Sequence, residues 1–386
     1  MSGLPAISLT NGSAKVVSLS ELMDCDIWRH IFGNKWKDHR YYEVVDQTLR
    51  GFEHRYLVFR NPDERIRGIQ PIFFVRQNLI EGVPGRIASM VDLIRKVFPR
   101  FLTMRVLMVG CAAGAGELGA ANPEDERWLA EALPPALRSL ARQNKASLIV
   151  FKDFYAKYRP VLNSLCWSGY ARLPSMPMTR LSLEYASFDD YLASIGYTTR
   201  KSLRRKFRKT ERAARIDMEV VTEIAPHLDE IYPLYLQVHE RSPMKFETLT
   251  KEYFREIGRL MSDRARFFIW RQEGKIIAFA LCFVHGDTIY DECLGLDYRV
   301  ALDLHLYFYT LRDVIRWSIA QKLRAYCSGP LNYDPKLHLG CVLMPLDLYV
   351  MHTNSIVNPV FRRIIKFLGP TRHDRILRQF PNANEL

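Results

Sequence analysis

The sequence predicts an α+β fold made of two tandem domains, each a mixed, mostly antiparallel sheet flanked by helices. Three observations carry this. The chain has 386 residues, too many for one ordinary hydrophobic core. Its second half runs hairpin, strand, loop, long helix and strand between Phe267 and Lys336. Its first half follows the same order of elements with different residues.

In the first half, RYLVFRN and GIQPIFFVRQ are β-rich runs around the turn-forming Asn61-Pro62-Asp63, which reads as a hairpin. TMRVLMVG follows as an apolar strand and ends in the small-residue loop Cys111–Gly116. A helix is expected from Pro123 to Gln143. Asn122 suits its N-cap, and Glu124, Asp125 and Glu126 suit the positive end of its dipole. Pro134 and Pro135 are expected to kink or divide it. SLIVFKDF is the next strand. PSMPM then breaks any periodic element and puts a boundary between Leu173 and Ser187. This gives an N-terminal domain over 1–180, a C-terminal domain over 181–357 and a basic amphipathic segment over 358–386.

In the second half, RFFIWRQ and KIIAFALCFV join at Glu273-Gly274-Lys275, and His285-Gly286-Asp287 turns into TIYDECLGL. Gly-centred turns between β-rich runs are hairpin signals. DYRVALD leads to a helical run from Leu304 to Gln321. RAYCSGP is a short strand, and Tyr333-Asp334-Pro335-Lys336 closes the unit. A strand whose loop opens onto a helix start offers free backbone N–H groups to an anion.

Composition bounds the class. Hydrophobic residues at 48%, charged at 25% and aromatic at 12% are those of a globular protein and exclude disorder. No apolar run approaches the ~18–20 residues of a membrane span, and MSGLPAISLTNGSAKVVSL lacks the pattern of a signal peptide. The seven cysteines are scattered without a CxxC pair, which points to reduced thiols in a cytoplasmic protein without a structural metal. HExxH, Walker and metal-spaced patterns are absent from the sequence. The net charge of +13 suits an anionic partner: CoA phosphates, an acidic carrier protein, tRNA or an anionic membrane surface.

Much of that charge sits in TRKSLRRKFRKTERAAR, residues 199–215. Nine Lys or Arg fall between 200 and 215 with one acid, Glu211. Leu203 and Phe207, four apart, give an apolar stripe toward the body and leave a cationic face outside. Like charges at this density repel along a helix. A solvated face and a docking face for an anionic partner both fit. The tail NPVFRRIIKFLGPTRHDRILRQF mixes apolar and basic residues, which suits either a membrane interface or a helix packed on its own domain.

The segments FALCFVHGDTIYDECLGLDY and LHLYFYTLRDVIRWSIAQKL, with Lys336 after the SGP turn, resemble the acyl-CoA N-acyltransferase (GNAT) fold in its FemAB-like two-domain branch. The resemblance covers roughly Ser187 to Leu348, and the first half by element order alone. It implies an N-acyltransferase that moves an acyl group from acyl-CoA, as cosubstrate, or from acyl carrier protein to a primary amine. The transfer would be direct, without a metal. Similarity to bacterial ceramide-forming acyltransferases implies a lipid-like, sphingoid-type amine taken at the inner membrane face and a ceramide-like product. Similarity to Fem-type enzymes implies instead an aminoacyl-tRNA donor, with the basic run on the nucleic-acid backbone. A third reading is a non-catalytic binding module that keeps the fold.

Donor-site candidates lie in both halves. The run Gly110, Cys111, Ala112, Ala113, Gly114, Ala115 and Gly116 could let backbone N–H groups approach a pyrophosphate. The family pattern has Arg or Gln where Cys111 stands, so the resemblance does not fix which half holds the donor. The same string resembles the S-adenosylmethionine loop of methyltransferases, a reading that the flanking hairpins contradict. In the second half Arg299 is the candidate for a charge-assisted phosphate contact, in a loop with no glycine after Gly295.

Amide formation needs a base for the amine, a donor for the oxyanion and an acid for the leaving group. Asp291 and Glu292 are strand neighbours expected to face opposite ways, with Glu292 favoured in the cleft. His305, at a helix start, is a further candidate base. Tyr307 or Tyr333 could protonate the leaving group, and Lys336 could polarise the carbonyl or hold phosphate. His239 and Glu240 stand where similar enzymes gate the acceptor.

Overall fold

A computed structural model describes residues 6–78, 103–243, 245–365, 371 and 374–386. The chain divides into two compact units. One comprises Met1–Gly33, Arg50–Ser175 and Leu346–Arg372; the other comprises Asn34–Leu49, Met176–Pro345 and His373–Leu386.

The first unit is built on an eight-stranded sheet. Its strands are β1 (Ile7–Leu9), β2 (Gly12–Val17), β3 (Glu53–Arg60), β4 (Ile66–Asn78), β5 (Thr103–Val109), β6 (Leu148–Tyr155) and β7 (Ala171–Pro174), with Leu346–His352 inserted between β6 and β7. The expected hairpin is β3–β4, and β5 pairs with β6 in parallel, Val106 opposite Leu148. Helix Pro123–Gln143 makes the crossover between them. Its N-cap is Asn122, whose side chain accepts from the Asp125 N–H. Leu129, Leu133, Leu137 and Leu140 recur at helical spacing and pack on Leu57, Phe59, Ile72, Leu107 and Phe151. The helix is continuous through Pro134 and Pro135, not divided as the sequence suggested. Its long buried face, which includes Pro134, offsets the backbone bonds that the prolines remove.

The second unit carries a seven-stranded sheet. Its strands are β8 (Met178–Ser182), β9 (Ile216–Val221), β10 (Ala265–Gln272), β11 (Lys275–His285), β12 (Thr288–Leu296), β13 (Ala325–Ser328) and β14 (Val342–Met344), in the order β14-β8-β13-β12-β11-β10-β9. Strands β10, β11 and β12 form the expected antiparallel meander. Helix Leu306–Ala320 then crosses over to β13, which runs parallel to β12 with Thr288 opposite Ala325. Each unit is thus a mixed, mostly antiparallel sheet with a helical crossover at its parallel pair, and the fold is α+β in two GNAT-like units.

The units depart from a contiguous division at residues 180 and 357: residues 34–49 and 176–180 group with the second unit, 346–372 with the first, and 373–386 with the second. The strand Leu346–His352, β15, pairs with both β6 and β7, Tyr349 opposite Phe151 and Leu348 opposite Leu173. Ladder hydrogen bonds therefore decide its membership. Residues 34–49 group with the second unit, where helix His39–Thr48 packs on Lys251–Leu260 and the Tyr253 hydroxyl donates to that of Tyr41 at 3.1 Å.

Candidate active site

The site begins with an irregularity in β12. Leu281 pairs with Cys293, and Cys282 then pairs with Asp291, so Glu292 is an extra residue on its strand. Such a bulge breaks the two-residue alternation of a strand and re-aims side chains. Asp291 and Glu292 both line one cavity, but their side chains take different partners, as strand neighbours on opposite faces do: Asp291 meets Tyr326, whereas Glu292 meets Lys37 and Tyr41. The cavity measures about 180 Å³. Tyr307 comes to it from the crossover helix, Tyr326 from β13 and Lys336 from the short helix Tyr333–His338. Val238, Leu294, Leu296, Leu311 and Val314 make an apolar wall.

Asp291 and Lys336 carry opposite and unusual electrostatics. Burial pushes the Asp291 carboxyl up to about 6, against the downward pull of the Tyr326 hydroxyl and the Lys336 charge. The Tyr326 hydroxyl donates to Asp291 Oδ2 at 2.6 Å. Burial pulls the Lys336 ammonium down to about 8, with Asp291 acting in the opposite direction. Lys336 Nζ donates to the Gly329 carbonyl at 2.5 Å. Burial raises the phenols of Tyr326 and Tyr307, so both keep their protons at neutral pH. The cavity thus holds a carboxyl poised near neutrality, a partly neutralised ammonium and two phenol donors.

Glu292 is held differently. Its Oε1 accepts from Lys37 Nζ at 2.7 Å and from the Tyr41 hydroxyl at 2.9 Å. The Lys37 side chain is only 3% exposed and lies 4.5 Å from the Trp36 ring centroid and 4.3 Å from that of Tyr41. Glu292 is therefore the carboxylate of a buried ion pair as well as a cavity residue.

The other candidates lie apart from this cavity. His305 caps the crossover helix in a left-handed conformation, φ 47°, and burial with Lys209, Lys206 and Arg205 lowers its pKa. The Tyr333 hydroxyl donates to the Pro177 carbonyl at 2.8 Å from a buried position, a packing role. His239 Nε2 lies 3.0 Å from the Glu247 carbonyl, and Glu240 is exposed. Neither His239 nor Glu240 lines the cavity, although their neighbour Val238 does. Arg299 is exposed and donates from Nη2 to Asp297 at 2.6 Å.

The loop Gly110–Gly116 belongs to the first unit, and Cys111, Ala112, Ala113 and Ala115 in it are buried. The Gly110 N–H donates to the Pro71 carbonyl at 3.0 Å, and the Gly116 N–H to the Asp153 carbonyl at 2.9 Å. Lys152 Nζ donates to the Gly114 carbonyl at 3.0 Å. A Cβ on Gly116 would stand 2.5 Å from the Lys152 carbonyl oxygen, so glycine there serves a close crossing with β6. The next helix begins only at Pro123, so the loop does not open onto a helix start as a phosphate cradle would.

The basic run forms helix Tyr197–Ala213, with Leu203, Phe207 and Thr210 buried as its inner stripe. Thr210 Oγ1 donates to the Leu304 carbonyl at 2.7 Å, and Arg312 Nη1 to Glu211 Oε1 at 2.7 Å. The run's one acid thus anchors the helix to the crossover helix. Arg205, Arg208, Lys209 and Arg212 line a depression of about 580 Å³ on the outside. Among the described residues none of these four forms an ion pair with an acid, and burial with the neighbouring Arg205 lowers the pKa of Lys206.

Sequence reasoning missed Lys37, Tyr41 and Tyr326. Lys37 and Tyr41 lie more than two hundred residues from Glu292, and no local pattern links them. Tyr326 carried a weak signal: it stands in the strand expected beside β12.

Comparison with known proteins bears on the fold and the family. The L-PGS structure from Bacillus licheniformis superimposes with a TM-score of 0.52 at 14% identity, over 91% of this chain and 98% of that one. The structure of FemX gives a TM-score of 0.52 at 11% identity, over 94% and 100%. A putative 8-amino-7-oxononanoate synthase 2 of Mycobacterium tuberculosis is 24% identical over 327 residues, which is 82% of this chain and 42% of that protein. The model of the FemAB-like family, described as peptidoglycan biosynthesis and recognition, matches residues 98–375. This match spans the crossover helices of both units and the whole bulged-strand cavity, and the chain belongs to the FemAB-like family.

Proposed function

We propose that the chain is an amide-forming transferase that moves an acyl or aminoacyl group from an activated ester or thioester onto a primary amine. The observation that carries this reading is the cavity beside the β12 bulge, which Asp291 shares with Lys336, Tyr326 and Tyr307. Asp291 takes the amine proton as nitrogen attacks the carbonyl carbon. Tyr326 holds the carboxylate by its 2.6 Å hydrogen bond. The Lys336 ammonium faces the developing oxyanion. As the C–N bond forms and the bond to the carrier breaks, the proton that Asp291 took passes to the leaving oxygen or sulfur, which restores the carboxylate, while the Tyr307 hydroxyl donates a hydrogen bond to the leaving atom.

Membership of the FemAB-like family makes an aminoacyl-tRNA-type donor the first to test. The basic helix supports a polyanionic carrier, because its outward cations meet no acid among the described residues. The apolar wall favours a second reading, with an acyl-CoA donor and a lipid-like, sphingoid-type amine.

Purified protein should be incubated with labelled aminoacyl-tRNA or with long-chain acyl-CoA, each with a panel of primary amines, and the amides identified by mass spectrometry. Product from tRNA alone supports the first donor, and product from CoA alone the second. No amide from either, with a carrier-protein thioester also inert, would sink the transferase reading.

The basic helix supplies a further expectation. Arg205→Glu with Arg208→Glu should raise the KM for the productive donor by about tenfold or more and flatten its salt dependence, leaving kcat nearly unchanged. Unchanged KM at low ionic strength would reduce the helix to a solvated face.

A further inference from the structure

A second surface lies in the first unit, on residues that the proposed chemistry does not use. Helix Asn358–Ile365 buries none of its residues. Ile356 is 85% exposed, Val360 58% and Ile364 55%. Spaced by four, they form one outward apolar stripe. Asn354 Oδ1 caps the Ile356 amide at 2.9 Å, so Ile356 is held at the start of that stripe. The opposite face binds the protein: Phe361 meets the His352 ring, and Asn358 Nδ2 donates to the Gly169 carbonyl at 2.9 Å.

The same docking brings a tryptophan to this surface. Arg362 Nη2 donates to the Cys166 carbonyl at 3.3 Å, and Arg138 donates to the Ser168 carbonyl. Trp167, between those two residues, is 93% exposed. Residues 354–365 and 163–170 contain no acid, while Arg362 and Arg363 flank the apolar stripe.

We infer that this helix and Trp167 form a docking surface for an anionic bilayer, with the stripe in the acyl boundary and the arginines at lipid phosphates. The charge is complementary, and Trp beside aliphatic side chains on a convex helix is the composition of an interfacial anchor. A protein partner fits less well. Four exposed apolar side chains fall far short of the ~20–30 residues a side that a stable interface uses.

The test is co-sedimentation of the full chain with phosphatidylcholine vesicles containing about 30 mol% phosphatidylglycerol, an anionic fraction chosen to attract juxtamembrane cations. Wild type should bind these vesicles and leave pure phosphatidylcholine vesicles largely unbound. The triple variant Ile356→Ser, Val360→Ser, Ile364→Ser should lose about tenfold or more in binding. Its melting temperature should not change, because the stripe makes no core. Arg363→Gln should weaken binding more at low salt than at high salt. Absence of vesicle binding by wild type, or equal binding by the triple variant, would overturn the inference. So would a mass in light scattering that falls in the triple variant without any vesicle binding by wild type, which would assign the stripe to a protein contact. Activity on soluble substrates is a separate readout and should not respond to these changes.

Discussion

Replacing Asp291 with Asn should lower the rate of amide formation by about 10²–10⁴-fold while leaving the fold intact. The change is nearly isosteric, and the Asn carbonyl still accepts from Tyr326, whose hydroxyl lies 2.6 Å from Oδ2 in the native protein. The proton acceptor alone is lost. The pH profile gives the more discriminating readout. Burial raises Asp291 to about 6, so its carboxylate form, the base, is populated only above that pH. Burial lowers Lys336 to about 8, so its ammonium form is populated only below that pH. Wild-type kcat/KM should therefore rise through about pH 6 and fall through about pH 8, as the apparent values of a coupled pair. Asp291→Asn should remove the rising limb, and Lys336→Met the falling one. If Lys336 holds donor phosphate instead of the oxyanion, Lys336→Met should raise the donor KM and spare kcat. An Asp291→Asn enzyme with normal turnover and an intact acid limb would remove Asp291 from the mechanism.

The elements were legible in the sequence because their signals are local. Two Gly-centred turns marked the β10–β11–β12 meander, and Asn122 with three acids marked the start of the crossover helix at Pro123. The stripe Leu203–Phe207 foretold which face of the basic helix is buried. The site was legible only in part. Asp291 and Glu292 as acidic strand neighbours, Tyr307 near a helix start and Lys336 by the family resemblance were candidates in the sequence, and all four line the cavity. The bulge beside them was not legible, because it is a mismatch between two strands and leaves no mark in either one alone. The glycine loop shows a related limit: small residues permit close approach without saying to what, and the structure gives Gly116 the Lys152 carbonyl of the protein's own strand as a close neighbour. The strand β15 and the segment 34–49 escaped because long-range pairing, not chain order, sets their unit.

Glu292→Gln should act mainly on stability, although Glu292 lines the same cavity as Asp291. Its carboxylate stands 2.7 Å from Lys37 Nζ, whose side chain is 3% exposed, and accepts a second bond from Tyr41. Replacing the carboxylate by a neutral amide weakens a charge-assisted hydrogen bond to a buried cation, which costs about 1.5–3 kcal/mol. For a unit of this size that should lower the melting temperature by about 2–4 °C per kcal/mol. Turnover at a temperature where the variant is folded should fall by much less than in Asp291→Asn. Lys37→Met should destabilise by a similar route, since it leaves Glu292 without its cation. The double variant should then lose less than the sum of the single losses, because one interaction is removed twice. A different result would reassign the roles. If Glu292→Gln melts like wild type but loses about 10³-fold in turnover with the acid limb abolished, Glu292 is the base. Lys37 would then set its charge, and Asp291 would become the residue that holds Lys336 and Tyr326 in place.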